Sequence, residues 1–287
     1  MTNDNKVLAC VDQSRFADTV ADYAAWAARR LDAPLEFLHV IDRHPEIGSG
    51  EDHSGAIGID AQEHLLTELS DRDATQTKAA REQGRVFLNR LRERAMAAGV
   101  PSPDVRQRHG ALDETLAEQE DRVRLFVFGR RGAAAETTQR DLGRNVERIV
   151  RALHKPVLTV TEGFREPRRV LIAFDGGIVT RRGVEMVADS PLFRGLPIHL
   201  LMSGKESADA PKQLEWARNT LEAAGFDAPA ALIPGDAEQI IAKTVKDQDI
   251  DVLIMGAYAH SPLRSLVFGS KTTELLRSAT IPTLLLR

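Results

Sequence analysis

Apolar residues in this chain fall into short runs separated by amphipathic stretches, and the whole order occurs twice. Val7–Val11 is an uninterrupted apolar run, the mark of a strand buried on both faces. Ser14–Leu31 follows with Phe16, Val20, Tyr23, Ala24, Ala27 and Leu31 at helical spacing, which predicts one buried helix face. The pattern predicts further strands at Leu35–Val40, Val105–His109, Arg124–Phe128 and Pro156–Val160. Helices are predicted over Ala61–Ala98, Leu112–Arg122 and Asn145–Leu153. The second half repeats this order, with strands at Arg169–Phe174, Pro197–Met202, Ala230–Ile233, Asp251–Met255 and Pro282–Leu286. Its helices fall at Thr180–Asp189, Pro211–Ala224, Ala237–Lys246 and Ser270–Ala279. Alternating strands and helices imply crossover connections, hence a parallel sheet covered on both faces: an α/β fold.

The repetition reaches individual residues. Val7-Leu8-Ala9-Cys10-Val11-Asp12 answers to Val170-Leu171-Ile172-Ala173-Phe174-Asp175, and Leu125-Phe126-Val127-Phe128-Gly129 to Val252-Leu253-Ile254-Met255-Gly256. Thr161–Arg168, with its Gly, Pro and charges, reads as the linker between two domains, residues 1–162 and 168–287. Each half closes on a short apolar strand that would otherwise be an exposed sheet edge. The halves are therefore expected to pack as a pseudo-twofold pair, with Pro156–Val160 near Pro282–Leu286. They differ at Asp42–Asp60, a Gly-rich excursion of the first half only. His44, Glu51, Asp52, His53 and the nearby His64 match no metal-ligand spacing, so a solvated loop is expected there.

Composition narrows the function classes. With 287 residues, 43% hydrophobic and 28% charged, the chain has the make-up of a globular protein large enough for two cores. A net charge of −4 favours neither a nucleic-acid groove nor an anionic membrane surface. Cys10 is the only cysteine, which excludes an intramolecular disulfide framework and a cysteine zinc cluster. The polar Met1–Asn5 start has no apolar secretion run, and no stretch is apolar enough to span a membrane. The expectation is a cytoplasmic protein.

The candidate chemistry lies at the strand ends. In the second half the fourth strand runs into Gly256, and a helix is predicted to start at Gly269-Ser270. A helix N-terminus with glycine and hydroxyl neighbours suits a phosphate. A turn glycine and a capping serine would explain the same residues without a ligand. In the first half Gly129-Arg130-Arg131-Gly132 is followed by ten residues and then Gly143-Arg144-Asn145. Arg130, Arg131 and Arg144 would add positive charge where phosphates sit, or simply face solvent. Asp12 and Asp175 end the first strand of each half. Either carboxylate could accept from ribose hydroxyls or organise the turn into the next helix.

Two successive units of this kind resemble the universal stress protein family. Its nucleotide-binding members carry Gly-x2-Gly-x9-Gly-(Ser/Thr) after the fourth strand and an Asp at the end of the first. The resemblance covers nearly the whole chain outside the tip of the Asp42–Asp60 excursion. It implies two Rossmann-like five-stranded parallel sheets of order 3-2-1-4-5. It also implies binding of ATP or AMP, with or without magnesium, at the ends of strands one and four. The residues it points to are Asp12, Val40, Gly129, Gly132, Gly143, Arg144 and Asn145 in the first half. In the second they are Asp175, Met202, Gly256, Ala259, Gly269, Ser270, Lys271 and Thr272. Val40, and Leu201 or Met202, would be the adenine contacts.

Both copies depart from the motif. The first has ten residues rather than nine before Gly143, and Arg144 stands at the Ser/Thr position; the second has Ala259 for the second glycine. Family pairing through the fifth strand would here occur inside one chain, with a further four-domain dimer left open. The implied role is that of an adenine-nucleotide sensor in the stress response. The alternatives are a slow ATPase or adenylating enzyme, and an interaction scaffold with decayed sites. Neither a Ser-Gly-Gly-x-Asp-Ser loop nor a P-loop is present, and neither half sets a base beside a nucleophile.

Overall fold

The computed structural model describes residues 5–41, 81–130, 144–204, 208–257 and 279–287. The first half contributes β1 (Lys6–Cys10), α1 (Ala17–Leu31), β2 (Leu35–Ile41), α2 (residues 81–97), β3 (Asp104–His109), α3 (Leu112–Ala117), β4 (Val123–Gly129), α4 (Arg144–Ala152) and β5 (Val157–Val160). The second contributes β6 (Val170–Ala173), α5 (Ile178–Asp189), β7 (Ile198–Gly204), α6 (Ala210–Ala223), β8 (Ala230–Pro234), α7 (Ala237–Asp247), β9 (Val252–Gly256) and β10 (Thr283–Leu286). The ten strands form one sheet in the order β3-β2-β1-β4-β5-β10-β9-β6-β7-β8. Each half is thus a 3-2-1-4-5 sheet, and all pairings are parallel except the antiparallel β5–β10 seam.

The seam is the expected pseudo-twofold contact. Thr159 lies opposite Thr283, Leu158 opposite Leu284 and Val157 opposite Leu285, and the Thr159 hydroxyl donates to the Thr283 carbonyl at 3.2 Å. Pairing the two short strands removes the edge that each half would otherwise expose. The core is continuous across it. One apolar layer joins α1 and α2 of the first half to α5 and α6 of the second, and includes Leu158, Val160, Leu284 and Leu286. The other layer carries α3, α4 and α7 and includes Val157 and Leu285. Trp26 packs on Phe193 with ring centres 6.1 Å apart, and Arg30 donates to the carbonyls of Leu192 (2.9 Å) and Arg194.

The linker is wired to both halves. Arg15 pairs with Glu162, the Tyr23 hydroxyl donates to the Arg165 carbonyl at 3.1 Å, and Arg165 pairs with Asp249 and Asp251. The Arg168 and Arg169 amides both donate to Asp251 Oδ2.

Two elements differ from expectation for local reasons. Helix α1 starts at Ala17 rather than Ser14, because Ser14 N–H donates to Asp12 Oδ1 and Phe16 N–H to Ser14 Oγ. Those bonds hold a turn that the helix would have to break. The helix expected over Leu112–Arg122 stops at Ala117 and resumes as a 3-10 turn at Glu120–Arg122, where the Gln119 side chain turns inward to Lys6. Of the helix expected over Ala61–Ala98, residues 81–97 are helical and 61–80 lie outside the described residues. The Asp42–Asp60 excursion and residues 270–278 of the last expected helix lie outside them too.

Candidate functional site

In a doubly wound sheet, ligands bind where neighbouring strands send their connections to opposite faces. That switch point falls between β1 and β4 in the first half and between β6 and β9 in the second. The registers match residue for residue. Cys10 lies opposite Leu38 and Phe128, and Ala173 opposite Leu201 and Met255. Gly129 and Gly256 come one residue later on the fourth strands, and Asp12 and Asp175 two residues later on the first. The structure therefore brings Asp12 beside Gly129 and Asp175 beside Gly256 at the mouths of the two sheets. The next amides bond alike to the closing strands, Arg130 N–H to Val160 C=O at 2.9 Å and Ala257 N–H to Leu286 C=O at 2.7 Å.

Both aspartates hold their turns. Asp12 Oδ1 accepts from Ser14 N–H at 3.2 Å. Asp175 Oδ1 accepts from Gly177 N–H at 2.9 Å and from the Thr180 hydroxyl at 2.6 Å. Both Asp175 bonds fall on one oxygen of an exposed residue, so its carboxylate keeps acceptor capacity. The turn behind it depends on a glycine. Gly176 has φ +75°, and a Cβ there would lie 1.8 Å from Gln213 Oε1. Arg181 donates from Nε to the Gly176 carbonyl at 3.0 Å, while its guanidinium lies 4.8 Å from the Trp216 ring centre. Gly256 has a packing reason of its own, because a Cβ would meet Thr180 Cγ2 at 3.2 Å and Val179 Cγ1 at 3.3 Å.

The rest of each expected site is only partly in view. Gly132, Gly143, Ala259, Gly269, Ser270, Lys271 and Thr272 lie outside the described residues, as does Arg131. Arg144 and Asn145 open helix α4. Arg130, a candidate phosphate cation, instead donates to the Ala279 carbonyl across the seam. Cys10, next to the mouth, is buried. That burial pushes its thiol well above the usual range, with the Glu36 carboxylate adding to the effect, which is the environment of an inert cysteine.

The register also sets which strand-two residues are equivalent in the two halves. Val40 lies two residues beyond Leu38, and Leu38 answers to Leu201, so the counterpart of Val40 is Ser203. Met202 answers to His39 and is buried in the apolar layer that also holds α5, the helix whose Thr180 hydroxyl donates to Asp175. The same register reveals residues the sequence reading missed. Val40 pairs with Arg108 and Ser203 with Ile233, so the row across the first mouth is Asp12, Val40, Arg108 and across the second Asp175, Ser203, Ile233. Arg108 pairs with Glu118 at 3.7 Å between two exposed side chains, a contact weak enough to yield to a ligand. Ile233 is 41% exposed. The sequence signal for this contrast is the alternating Arg106-Gln107-Arg108 of β3 against Ala231-Leu232-Ile233 of β8.

Among the described residues no three His, Cys, Asp or Glu side chains gather as a metal site, and no helix is long and apolar enough to cross a membrane. His44, Glu51, Asp52, His53 and His64 lie outside the described residues.

Comparison with known proteins bears on the family and the fold. The model of the universal stress protein family matches residues 5–161 and 200–287. The chain is 35% identical over 284 residues to universal stress protein Slr1230 of Synechocystis, covering 98% of this chain and 99% of that protein. A universal stress protein structure from Archaeoglobus fulgidus superposes with a TM-score of 0.69 at 18% identity, over 99% of this chain and 96% of its own. A putative universal stress protein from Pseudomonas aeruginosa gives 0.62 at 17% identity, over 99% and 94%. The two structures share the fold, while the family match and the Slr1230 likeness extend to sequence along the chain. The chain belongs to the universal stress protein family.

Proposed function

We propose that this protein binds ATP or AMP at its sheet mouths and acts as a regulatory sensor in the stress response, with residues 1–162 and 168–287 as its two nucleotide-sized units. The observation that carries the reading is the pairing of an Asp and a Gly at both switch points in equal register. In sequence, each pair is followed by a glycine-containing loop leading to a helix start. In this reading the Asp carboxylate accepts from the ribose hydroxyls and the helix start faces the phosphates. Val40 and Ser203 flank the base.

Nucleotide analysis of gently purified protein, followed by titration calorimetry with ATP, ADP and AMP with and without magnesium, tests the proposal. A nucleotide at about a hundred times its Kd should stabilise the protein by about 2.7 kcal/mol, visible as a rise in melting temperature. An empty preparation with no shift at millimolar nucleotide would sink it.

A further inference from the structure

The pseudo-twofold relation assigns every residue at the seam a counterpart. Val7 lies beside Leu35 and Val170 beside Ile198 across equal lengths of chain, so Met186 of α5 occupies the place of Tyr23 of α1. Val7 also lies beside Leu125 and Val170 beside Val252, so Arg124 stands where the other half has Asp251. On the closing strands Leu284 answers to Leu158, and Lys155 to Ile281.

The two sides of the seam are filled differently. On the Tyr23 side the linker occupies the space. Phe164 meets the Tyr23 ring edge-on at 4.8 Å, the Tyr23 hydroxyl bonds to the Arg165 backbone, and Arg165 Nε pairs with the buried Asp251 at 3.1 Å. On the Met186 side the equivalent space is an open cavity of about 330 Å³ between the halves. Met186, Leu125, Leu192 and Leu284 give it an apolar floor, and Arg124, Lys155 and Asp189 lie around it. That volume is at the low end of the roughly 300–1,000 Å³ of small-molecule sites.

We propose that this seam cavity is a binding site for a small organic monoanion with a compact apolar body, such as an aryl-alkyl carboxylate. The filled side shows the mode of recognition: an apolar ring against residue 23 and a charged group at the residue-251 position. The open side keeps the apolar wall and reverses the charge, Asp251 becoming Arg124, so the complementary head is an anion. Arg124 Nη1 donates to the Leu31 carbonyl at 3.3 Å, and its guanidinium carries further N–H groups that a carboxylate can use. Two cations against the single Asp189 carboxylate favour one negative charge over two. The site is separate from both sheet mouths and does not depend on nucleotide binding.

The test uses the full chain with 3-phenylpropionate and its uncharged amide as probes, read by titration calorimetry and ligand-observed NMR. Saturable one-to-one binding of the acid is expected, with the amide about tenfold weaker or more. Arg124→Gln should weaken the acid to the level of the amide, and Met186→Trp should abolish binding by filling the cavity. Leu284→Phe, which intrudes from the opposite wall, gives a second block if Met186→Trp fails to fold. Absence of saturable binding up to about 10 mM, a limit near the weakest measurable affinities, would overturn the proposal. So would acid and amide binding equally and indifferently to these changes.

Discussion

Lys6→Met should destabilise the first half more than a substitution in any exposed ion pair. Lys6 is 3% exposed and its ammonium lies 2.6 Å from Glu36 Oε2, with Glu36 itself 1% exposed. Gln119 Oε1 accepts a second Lys6 bond at 3.3 Å, and Arg106 Nε approaches Glu36 Oε1 at 3.2 Å from a side chain that is 44% exposed. Removing the ammonium leaves a buried carboxylate whose remaining cation is partly solvated and therefore a weak substitute. The cost of breaking such a pair is about 3–5 kcal/mol, and the Arg106 contact places this case near the lower end. At about 2–4 °C per kcal/mol for a domain of this size, the melting temperature should fall by about 6 °C or more. Lys6→Met with Glu36→Leu removes both charges and should recover most of the loss, because the pair's attraction is offset by its desolvation. Trp26 and Trp216 lie one in each half, so a Trp216→Phe background makes Trp26 fluorescence report the first half during urea or thermal unfolding. A loss under about 1 kcal/mol for Lys6→Met, or a double variant as damaged as the single one, would refute the reasoning.

Two further outcomes follow from the sites and the charges. The second mouth should be the better nucleotide site because its loop keeps the nine-residue spacing; Gly269→Val with Ser270→Ala should abolish most high-affinity binding in calorimetry, and Gly132→Val should reduce it less. The opposite ranking would assign the principal site to the first half. His199 is held below its ordinary pKa, chiefly by burial and then by the Arg169 charge, so its neutral form is favoured in the folded state. Its contribution is therefore complete above about pH 6.5, the unfolded value, and is lost as pH falls through the lower folded value. His199→Gln should flatten that part of the stability profile, and an unchanged acid limb would remove His199 as its cause.

Much of the fold was legible because a parallel sheet covered on both faces forces continuous apolar runs, and β1, β4, β6 and β9 are such runs. The seam was legible because a short apolar closing strand has few ways to avoid being an edge. Side-chain phase was harder. Leu201 and Met202 are both apolar, and nothing local says which apolar layer each one joins; a one-residue step reverses the face, and the register that pairs Leu201 with Ala173 decides it. The start of α1 was missed because Ser14 can cap a helix or hold an Asx turn, and the Asp12 carboxylate tips the balance toward the turn. The role of Phe164 was not legible either. In a segment of Gly, Pro and charges it reads as linker, and its contact with Tyr23 depends on the return of the second half.

The duplicated halves have diverged in a way that separates packing from chemistry. Positions that face the shared layers stay apolar in both, and the mouth Asp and Gly stay identical. Charge has changed at the rim, where Arg108 answers to Ile233, and at two positions where a buried acid is paired: Glu36, bonded to Lys6, answers to His199, and Asp251, bonded to Arg165, answers to Arg124. Core positions resist such changes because an unpaired buried charge costs several kcal/mol, whereas a rim position leaves its charge partly in water. Each rim change alters what a cleft or cavity can recognise without altering the sheet beneath it. A basic residue beside Val40 offers donors to a ligand edge that accepts hydrogen bonds; an exposed isoleucine beside Ser203 offers only apolar area. The two mouths share a backbone plan and present different chemistry. The antiparallel seam, with apolar layers running through it on both faces, holds them in one body, so a ligand that stabilises either mouth also stabilises the folded state on which the other depends.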